Sequence, residues 1–391
     1  MNLFDGKAVL TGIGQSDIGR YLGRSGLSLT AEAALAAIAD AGLTPDDIDG
    51  LATFPGSDNT DAGYGGAGAG EVIDALGLNV NWYKGEAETS GQLGPVMSAC
   101  MAVATGTARH VLCFRTVTEG SAQRAKGNRA AVFGKTKARH WSEWCMPYGA
   151  RPPNLMALYA QRYMHDHGLK REHLGQIALN NRRNASLNPK AVFRQPLTME
   201  QYLSARMVSS PFGLLDCDVP IDGSTAVIVS RREAARGIHH PPLVVESVGS
   251  ALKSRYAYGQ GALDETACYD SAKMMWQHTE LRPKDVDVAQ LYDGFSFLTV
   301  EWLDALGFCE HGKAGEFLEG GERIALEGEL PLTTHGGQLS AGRLHGFGHL
   351  HEACVQLWGL GGERQVMGDP RISVAAAGGG IFGGCMLLSR P

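Results

Sequence analysis

Gly42-Leu43-Thr44-Pro45-Asp46-Asp47-Ile48-Asp49 and Leu281-Arg282-Pro283-Lys284-Asp285-Val286-Asp287 share the pattern L-x-P-x-D-(I/V)-D. The first copy follows a segment with helical periodicity: Thr30 is placed to cap it, Ala31, Ala34, Leu35 and Ile38 recur at i, i+3, i+4 and i+7, and Gly42 suits its end. The second follows a helix-like run over 268–278. An apolar, strand-like stretch comes after each copy, at 51–54 and 288–292. Further on, each half has a Gly-containing loop that leads into a helix and then a buried strand. These are 90–103 followed by Val111-Leu112-Cys113-Phe114, and 336–358 followed by 372–377. Two rounds of alternating strand and helix predict an internally duplicated α/β fold with buried mixed sheets. The 150–250 stretch between them reads as an inserted or connecting region, with polar helical sequence at 159–183 and an apolar strand at 226–230.

The composition suits this reading. A chain of 391 residues with 44% hydrophobic content is long enough for two domains or one duplicated fold. Its 52 glycines are about 13% of the chain against a usual level of roughly 7%. Without a Gly-X-Y period, they point to tight turns and close backbone approach to a ligand. The net charge of −6, with Lys and Arg dispersed, gives no footprint for nucleic acid. The N-terminal residues lack a signal-peptide pattern and no run of apolar residues is long enough to span a bilayer, so the expected location is the cytoplasm. Eight scattered cysteines without a CxxC pair suit reduced core thiols. His349 and His351 form an HxH at an expected helix start. No third ligand lies at metal spacing, so they read as polar residues near an active-site mouth, with no metal.

Several motifs, in order, carry a resemblance to a known family. They are VLTGIG at 9–14, the Asp-Ile-Asp of 47–49, Ala160-Gln161-Arg162-Tyr163-Met164, Asn181-Arg182-Arg183-Asn184-Ala185, Asp222-Gly223-Ser224-Thr225-Ala226, Tyr292-Asp293-Gly294-Phe295, Gly336-Gly337 and Gly378-Gly379-Gly380. With these the chain resembles the thiolase superfamily, in particular its thiolase-like nonspecific lipid-transfer proteins. The resemblance implies duplicated βαβαβαββ halves in a layered α-β-α-β-α arrangement. The N-terminal half would span 1–240, with an inserted loop region at about 115–215, and the C-terminal half 241–391. It also implies a homodimer.

The positions of thiolase chemistry are altered. The nucleophile motif Cys-x-x-Gly falls on Glu88-Thr89-Ser90-Gly91, the second cysteine on Ala376, the histidine of Gly-His-Pro on Arg343, and the asparagine of Asn-Glu-Ala-Phe on Tyr292. Claisen chemistry of the usual kind then has no nucleophile. In this respect the chain resembles the steroid side-chain-cleaving aldolases, which have Leu-Tyr-Asp-Gly-Phe at that position and lack the thiolase cysteines. This resemblance implies retro-aldol cleavage of a β-hydroxyacyl-CoA. For a steroid tertiary alcohol the products would be a 17-ketosteroid and propionyl-CoA. The CoA thioester would be the substrate, with no cofactor, and a small OB-fold/zinc-ribbon subunit would be the partner.

The reaction needs a base for the hydroxyl proton, donors for the enolate and an acid to protonate it. Tyr292, Asp293 and His345 are the catalytic candidates, and Glu88, Arg343, Gly337 and Gly379 are candidates for oxyanion, substrate or structural support. Tyr256 and Tyr258 are candidates for substrate contact. Each has a plainer alternative. Tyr292 also suits a packed core, Asp293 a loop brace, Glu88 a helix start, Arg343 an ion pair with Glu88 or Asp293, and His345 the lining of a mouth. Two other functions stay open, a degenerate acyl-CoA or sterol carrier and an acyltransferase that uses Ser90.

Overall fold

The computed structural model describes residues 3–56, 62–87, 89–125, 142–235, 237, 239–253, 262–264 and 266–391. The two copies of the repeat fold alike. Pro45–Asp47 and Pro283–Asp285 are single 3-10 turns that begin on proline, where a missing N–H costs no hydrogen bond. Asp47 Oδ2 accepts from the Thr44 N–H at 2.8 Å, and Asp285 Oδ2 from that of Arg282 at 2.8 Å. The last aspartate of each copy clamps the start of a distant strand. Asp49 accepts from the N–H groups of Arg109 and His110 at 2.8 and 2.9 Å, and Asp287 from those of Arg371 and Ile372 at 2.7 and 2.8 Å. The repeat is thus a turn and a clamp, used once per half.

The strands are β1 (Ala8–Gln15), β2 (Gly50–Thr53), β3 (Trp82–Gly85), β4 (His110–Thr118), β5 (Met207–Ser209), β6 (Phe212–Gly213), β7 (Asp222–Arg231), β8 (Leu243–Leu252), β9 (Val288–Gln290), β10 (Ile372–Gly379) and β11 (Phe382–Ser389). Nine form one sheet in the order β3-β2-β4-β7-β1-β8-β11-β10-β9. In the first half β2 and β4 run parallel while β7 is antiparallel to β4 and β1. The second half repeats this, with β9 parallel to β10 and β11 antiparallel to β10 and β8. The halves join through two residue pairs, Val9 with Val244 and Leu10 with Leu243.

Duplication is incomplete in one respect. A strand equivalent to β3 is reduced, among the described residues, to a single parallel bridge between Ala289 and Leu332. The helix Gly346–Leu357 is almost wholly buried and Gly94–Thr105 mostly so, Met101 and Thr105 being exposed, and both share one core with residues from both halves of the sheet. The helix Gly26–Asp40 packs on the outer face of the first half, through Ala33, Ala34, Ala37 and Ile38 against Leu51, Leu112 and Ile228. Its cap is Ser25, not Thr30: Ser25 Oγ accepts from the Ser28 N–H at 3.1 Å. Thr30 lies inside the helix, where its buried hydroxyl bonds Gly26 O and Thr116 Oγ1.

Between β4 and β7 lie the helices Pro152–His167 and Arg171–Ser186. The second packs over the Gly337–Ala341 π-turn and thereby reaches the site described next. Among the described residues no helix is long and apolar enough to cross a membrane.

Candidate active site

Three segments converge where the thiolase motifs are altered. The chain leaves β9 at Gln290 and turns through Leu291-Tyr292-Asp293-Gly294 into the helix Ser296–Ala305. Gly294 allows the Tyr292 ring to fold back over the backbone, because a Cβ there would lie 2.8 Å from Tyr292 Cε1. The 217–219 segment is pinned to this turn, Cys217 bridging to Phe295 and the Asp218 N–H donating to Gly294 O at 3.2 Å. It is pinned on its other side as well, since the Val219 N–H donates to Gln338 O at 3.0 Å and the Arg343 N–H to Val219 O at 2.9 Å. Asp218 is therefore held between Tyr292 and Arg343.

Asp293 is the brace of the site. It is fully buried, and four donors occupy its oxygens. Oδ1 takes the Gln338 N–H at 3.0 Å and His349 Nε2 at 3.1 Å; Oδ2 takes Asn181 Nδ2 at 2.7 Å and the Leu339 N–H at 3.2 Å. Gly337 belongs to the same node. Its φ is +58°, and a Cβ would stand 2.1 Å from Asp293 Oδ2, so both the conformation and the space call for glycine. His349 is not at a mouth. It is fully buried, and its Nε2 lies between Leu291 O at 2.8 Å and Asp293 Oδ1, a position that only an N–H can fill.

Glu88, one expected partner of Arg343, lies outside the described residues, and Arg343 does not pair with Asp293, the other. Its Nε and Nη2 grip Glu119 at 2.9 and 2.6 Å, and its Nη1 lies 3.0 and 3.2 Å from the two oxygens of Asp218. Glu119 begins the short helix Glu119–Ala125 after β4, and Asp218 arrives from the segment before β7, so both partners lie far from Arg343 in sequence. Burial alone would lower the Arg343 pKa, but Asp218 and Glu119 more than reverse this. Burial pushes the Asp218 carboxyl up to about 6 despite the facing guanidinium. The Tyr292 phenol is driven well above its ordinary value, first by burial and then by Asp218 and Tyr64, with Arg343 opposing. Arg343 therefore does not turn Tyr292 into a phenolate, and Tyr292 is equipped as a proton donor.

His345 is buried at the entrance to the helix Gly346–Leu357, with φ +56°, an uncommon conformation for a residue with a side chain. Its Nδ1 lies 3.3 and 3.2 Å from Nε and Nη2 of Arg115, a fully buried residue of β4. Tyr64 packs edge-on against the His345 ring at 5.3 Å. Burial, then Arg115, Arg343 and His349, hold the imidazole pKa well below its usual value, so the ring is neutral. The amide of Gln338 is buried beside the Tyr292 hydroxyl, which it meets only outside good hydrogen-bond geometry.

The remaining candidates separate. Gly379 faces the helix Ser296–Ala305, where its Cβ would strike Leu298 Cδ2 at 2.5 Å, so it serves packing. Glu88, Tyr256 and Tyr258 lie outside the described residues. Ala376 is buried opposite Cys385, and burial pushes the thiols of seven of the eight cysteines upward, that of Cys217 to about 12. Such thiols are poor nucleophiles. A cavity of about 380 Å³ opens beside this centre, lined by Gly342, Leu344, His335, His351 and Lys190; Tyr292, Arg343 and His345 do not line it. Sequence reading missed Arg115, Glu119, Asp218 and the inward role of His349. The Asn181 motif was the one visible hint of the Asp293 node.

Residues 249–388 match the family model described as thiolase C-terminal domain-like. Over 97% of each chain the sequence is 35% identical to the steroid side-chain-cleaving aldolase of Thermomonospora curvata. It is 34% identical to the 17-hydroxy-3-oxo-4-pregnene-20-carboxyl-CoA lyase of Mycobacterium tuberculosis, over 98% of this chain and 100% of that one. Among solved structures, the Ltp2-ChsH2(DUF35) aldolase superposes with a TM-score of 0.85 and 33% identity over 98% of each chain.

Proposed function

We propose that this chain, which belongs to the family of the steroid side-chain-cleaving aldolases, cleaves a β-hydroxy steroid-CoA thioester by a retro-aldol reaction. The observation that carries this reading is the placement of a protonated phenol, Tyr292, beside a buried Asp218–Arg343–Glu119 chain. A tertiary alcohol cannot be oxidised to the ketone that thiolysis requires, so its carbon–carbon bond has to break from the alcohol itself.

The assignment of roles follows from the protonation states. Asp218, with a pKa raised to about 6, is ionised at neutral pH and close enough to neutrality to accept the β-hydroxyl proton. As the alkoxide collapses to a carbonyl, the Cα–Cβ bond breaks and its electron pair moves into the thioester as an enolate. His345 and the Gln338 amide supply hydrogen-bond donors for the enolate oxygen. Tyr292 then protonates Cα, releasing the short acyl-CoA, and recovers a proton from Asp218. Arg343 keeps Asp218 in place and balances its charge in the ionised state. Atoms and protons balance without a covalent intermediate. For a steroid with a C17 hydroxyl the products are a 17-ketosteroid and propionyl-CoA. A carrier without chemistry would have no use for a carboxylate–guanidinium–carboxylate chain beside a phenol.

The assembly we propose is a homodimer joined by a small OB-fold subunit of the DUF35 kind. The superposition on the Ltp2-ChsH2(DUF35) aldolase supports the second component. The edge strand β3, with Tyr83 exposed on it, supports the first. Incubation of the chain with such a partner and a β-hydroxy steroid-CoA, followed by mass spectrometry, should give ketosteroid and acyl-CoA in equal amounts. Recovery of intact substrate from a complex shown to bind it would overturn the reading.

A further inference from the structure

Arg115 is a buried cation with no carboxylate in contact with it among the described residues; Glu119 acts on it only from beyond ion-pair distance. It has no exposed surface, and its contacts are His345 Nδ1, Phe54 O at 3.3 Å and Thr116 O at 2.9 Å, with the rings of Phe54 and Tyr64 at 5.2 and 4.6 Å from its Cζ. Burying an ion without a counterion costs several kcal/mol in effective terms, and neutral carbonyls and aromatic faces compensate only in part. Arg343, by contrast, has two carboxylates. Nothing in the packing of β4 calls for a guanidinium at position 115, where its apolar neighbours Phe114 and Val117 are fully buried hydrocarbon.

Arginine can only donate, so the His345 nitrogen that faces two of its N–H groups presents a lone pair, and the imidazole proton sits on Nε2. We infer that Arg115 is a positioning residue, which locks His345 into its neutral Nε2–H form and polarises that N–H toward the enolate oxygen formed during cleavage. A second proton on His345 would place an imidazolium against a guanidinium. The groups facing the ring are Arg115 from β4, Tyr64 from the loop after β2, Arg343 from its own loop and His349 one turn on, and none of them is an anion. The strained backbone at His345 fits the same role. The start of its helix is pressed onto β10, where a Cβ on Gly346 would lie 2.4 Å from the Ala377 Cβ. The ring is thus held from the backbone side as well as by Arg115. No bond forms or breaks at Arg115 or His345, so their contribution is the preorganised donor.

The inference rests on the aldolase reading for the identity of the oxyanion, but its test does not need turnover. Nitrogen-15 spectra of the histidine-labelled protein, with His345→Gln to identify the signal, should show His345 as the Nε2–H tautomer, untitrated from pH 8 to about 5. In Arg115→Gln the same signal should begin to titrate at a higher pH than in wild type, while burial and Arg343 still hold it below the ordinary histidine value of about 6.5. In the assembled enzyme, kcat should fall by up to the roughly 10²-fold that loss of one oxyanion donor costs, with KM nearly unchanged and a new acidic limb in the kcat profile. A wild-type signal from the Nδ1–H tautomer, or one that titrates near 6.5, overturns the proposal even if Arg115→Gln does not fold. So does an Arg115→Gln enzyme whose His345 signal and kcat profile match wild type. Spectra as expected, combined with no cleavage of any β-hydroxyacyl-CoA, would keep the Arg115–His345 pair and sink the aldolase reading instead.

Discussion

Asp293→Asn distinguishes a brace from a catalytic carboxylate. Each Asp293 oxygen receives two donors, Gln338 N–H and His349 Nε2 on Oδ1, and Asn181 Nδ2 and Leu339 N–H on Oδ2. An asparagine has one acceptor oxygen. Turned so that its NH2 replaces Oδ1, the less costly way because His349 Nε2 keeps Leu291 O at 2.8 Å, the buried amide leaves both the Gln338 N–H and its own NH2 without an acceptor. Two buried donors left unsatisfied, at about 1–3 kcal/mol each, give an expected loss of about 2–6 kcal/mol. Guanidinium unfolding followed by circular dichroism, with the slope of the transition compared between variants, measures it. Activity should fall together with stability, since the node positions both Tyr292 and the Gly337 turn. A variant that loses less than about 1 kcal/mol yet is inactive would refute the brace and return Asp293 to the list of acid/base groups.

Other outcomes follow from the same geometry. Alkylation of the native enzyme with iodoacetamide should leave turnover nearly intact, because no cysteine stands at Ala376 and burial pushes seven thiols up; stoichiometric inactivation through one cysteine would contradict this. The Asp218 carboxylate must be ionised to act as a base, and its pKa is raised to about 6, so log kcat should fall with decreasing pH below about 6 and level off above it. Asp218→Asn should remove that limb along with most of the activity, and a limb that survives would assign it to another group. Gly337→Ala should destabilise by more than the roughly 1–2 kcal/mol of a left-handed backbone alone, since the new methyl carbon must also displace Asp293 Oδ2 from 2.1 Å; a melting temperature equal to that of wild type would show that the turn gives way freely.

The duplicated α/β architecture was legible because it is written locally. Each L-x-P-x-D-(I/V)-D copy carries its own turn, and hydrophobic periodicity marks the helices and strands around it. The limits of that legibility are also physical. Thr30 looked like a cap because its partner Thr116, on a distant strand, was invisible, and Ser25 caps one turn earlier. Among the described residues the second half keeps only a bridge where β3 has its counterpart, which no period-two signal at 330–332 could reveal. At the site, the positions of Tyr292, Gly337 and His345 followed from motif order, whereas their protonation follows from burial and from charges brought by the β4 end and the 217–219 segment. The ion pair expected of Arg343 formed with Glu119 and Asp218, which enter from opposite ends of the region between β4 and β7. Arg115 escaped notice because an arginine inside an apolar strand reads locally as a residue with no assigned partner, and His345 lies far along the chain.

In the proposed cleavage the phenol of Tyr292, at the thiolase asparagine position, supplies the proton that protonates Cα. Tyr292→Phe removes one hydroxyl from a ring held by Gly294 and the helix that follows, so fold and CoA binding should persist. In single-turnover experiments with the assembled enzyme and a β-hydroxy steroid-CoA, the rate of ketosteroid release should fall by roughly 10²–10⁴-fold, the range of a lost general acid. Release at more than about a third of the wild-type rate with chemistry rate-limiting, judged on that same scale, would show that Tyr292 is only a packed tyrosine and that the proton comes from elsewhere.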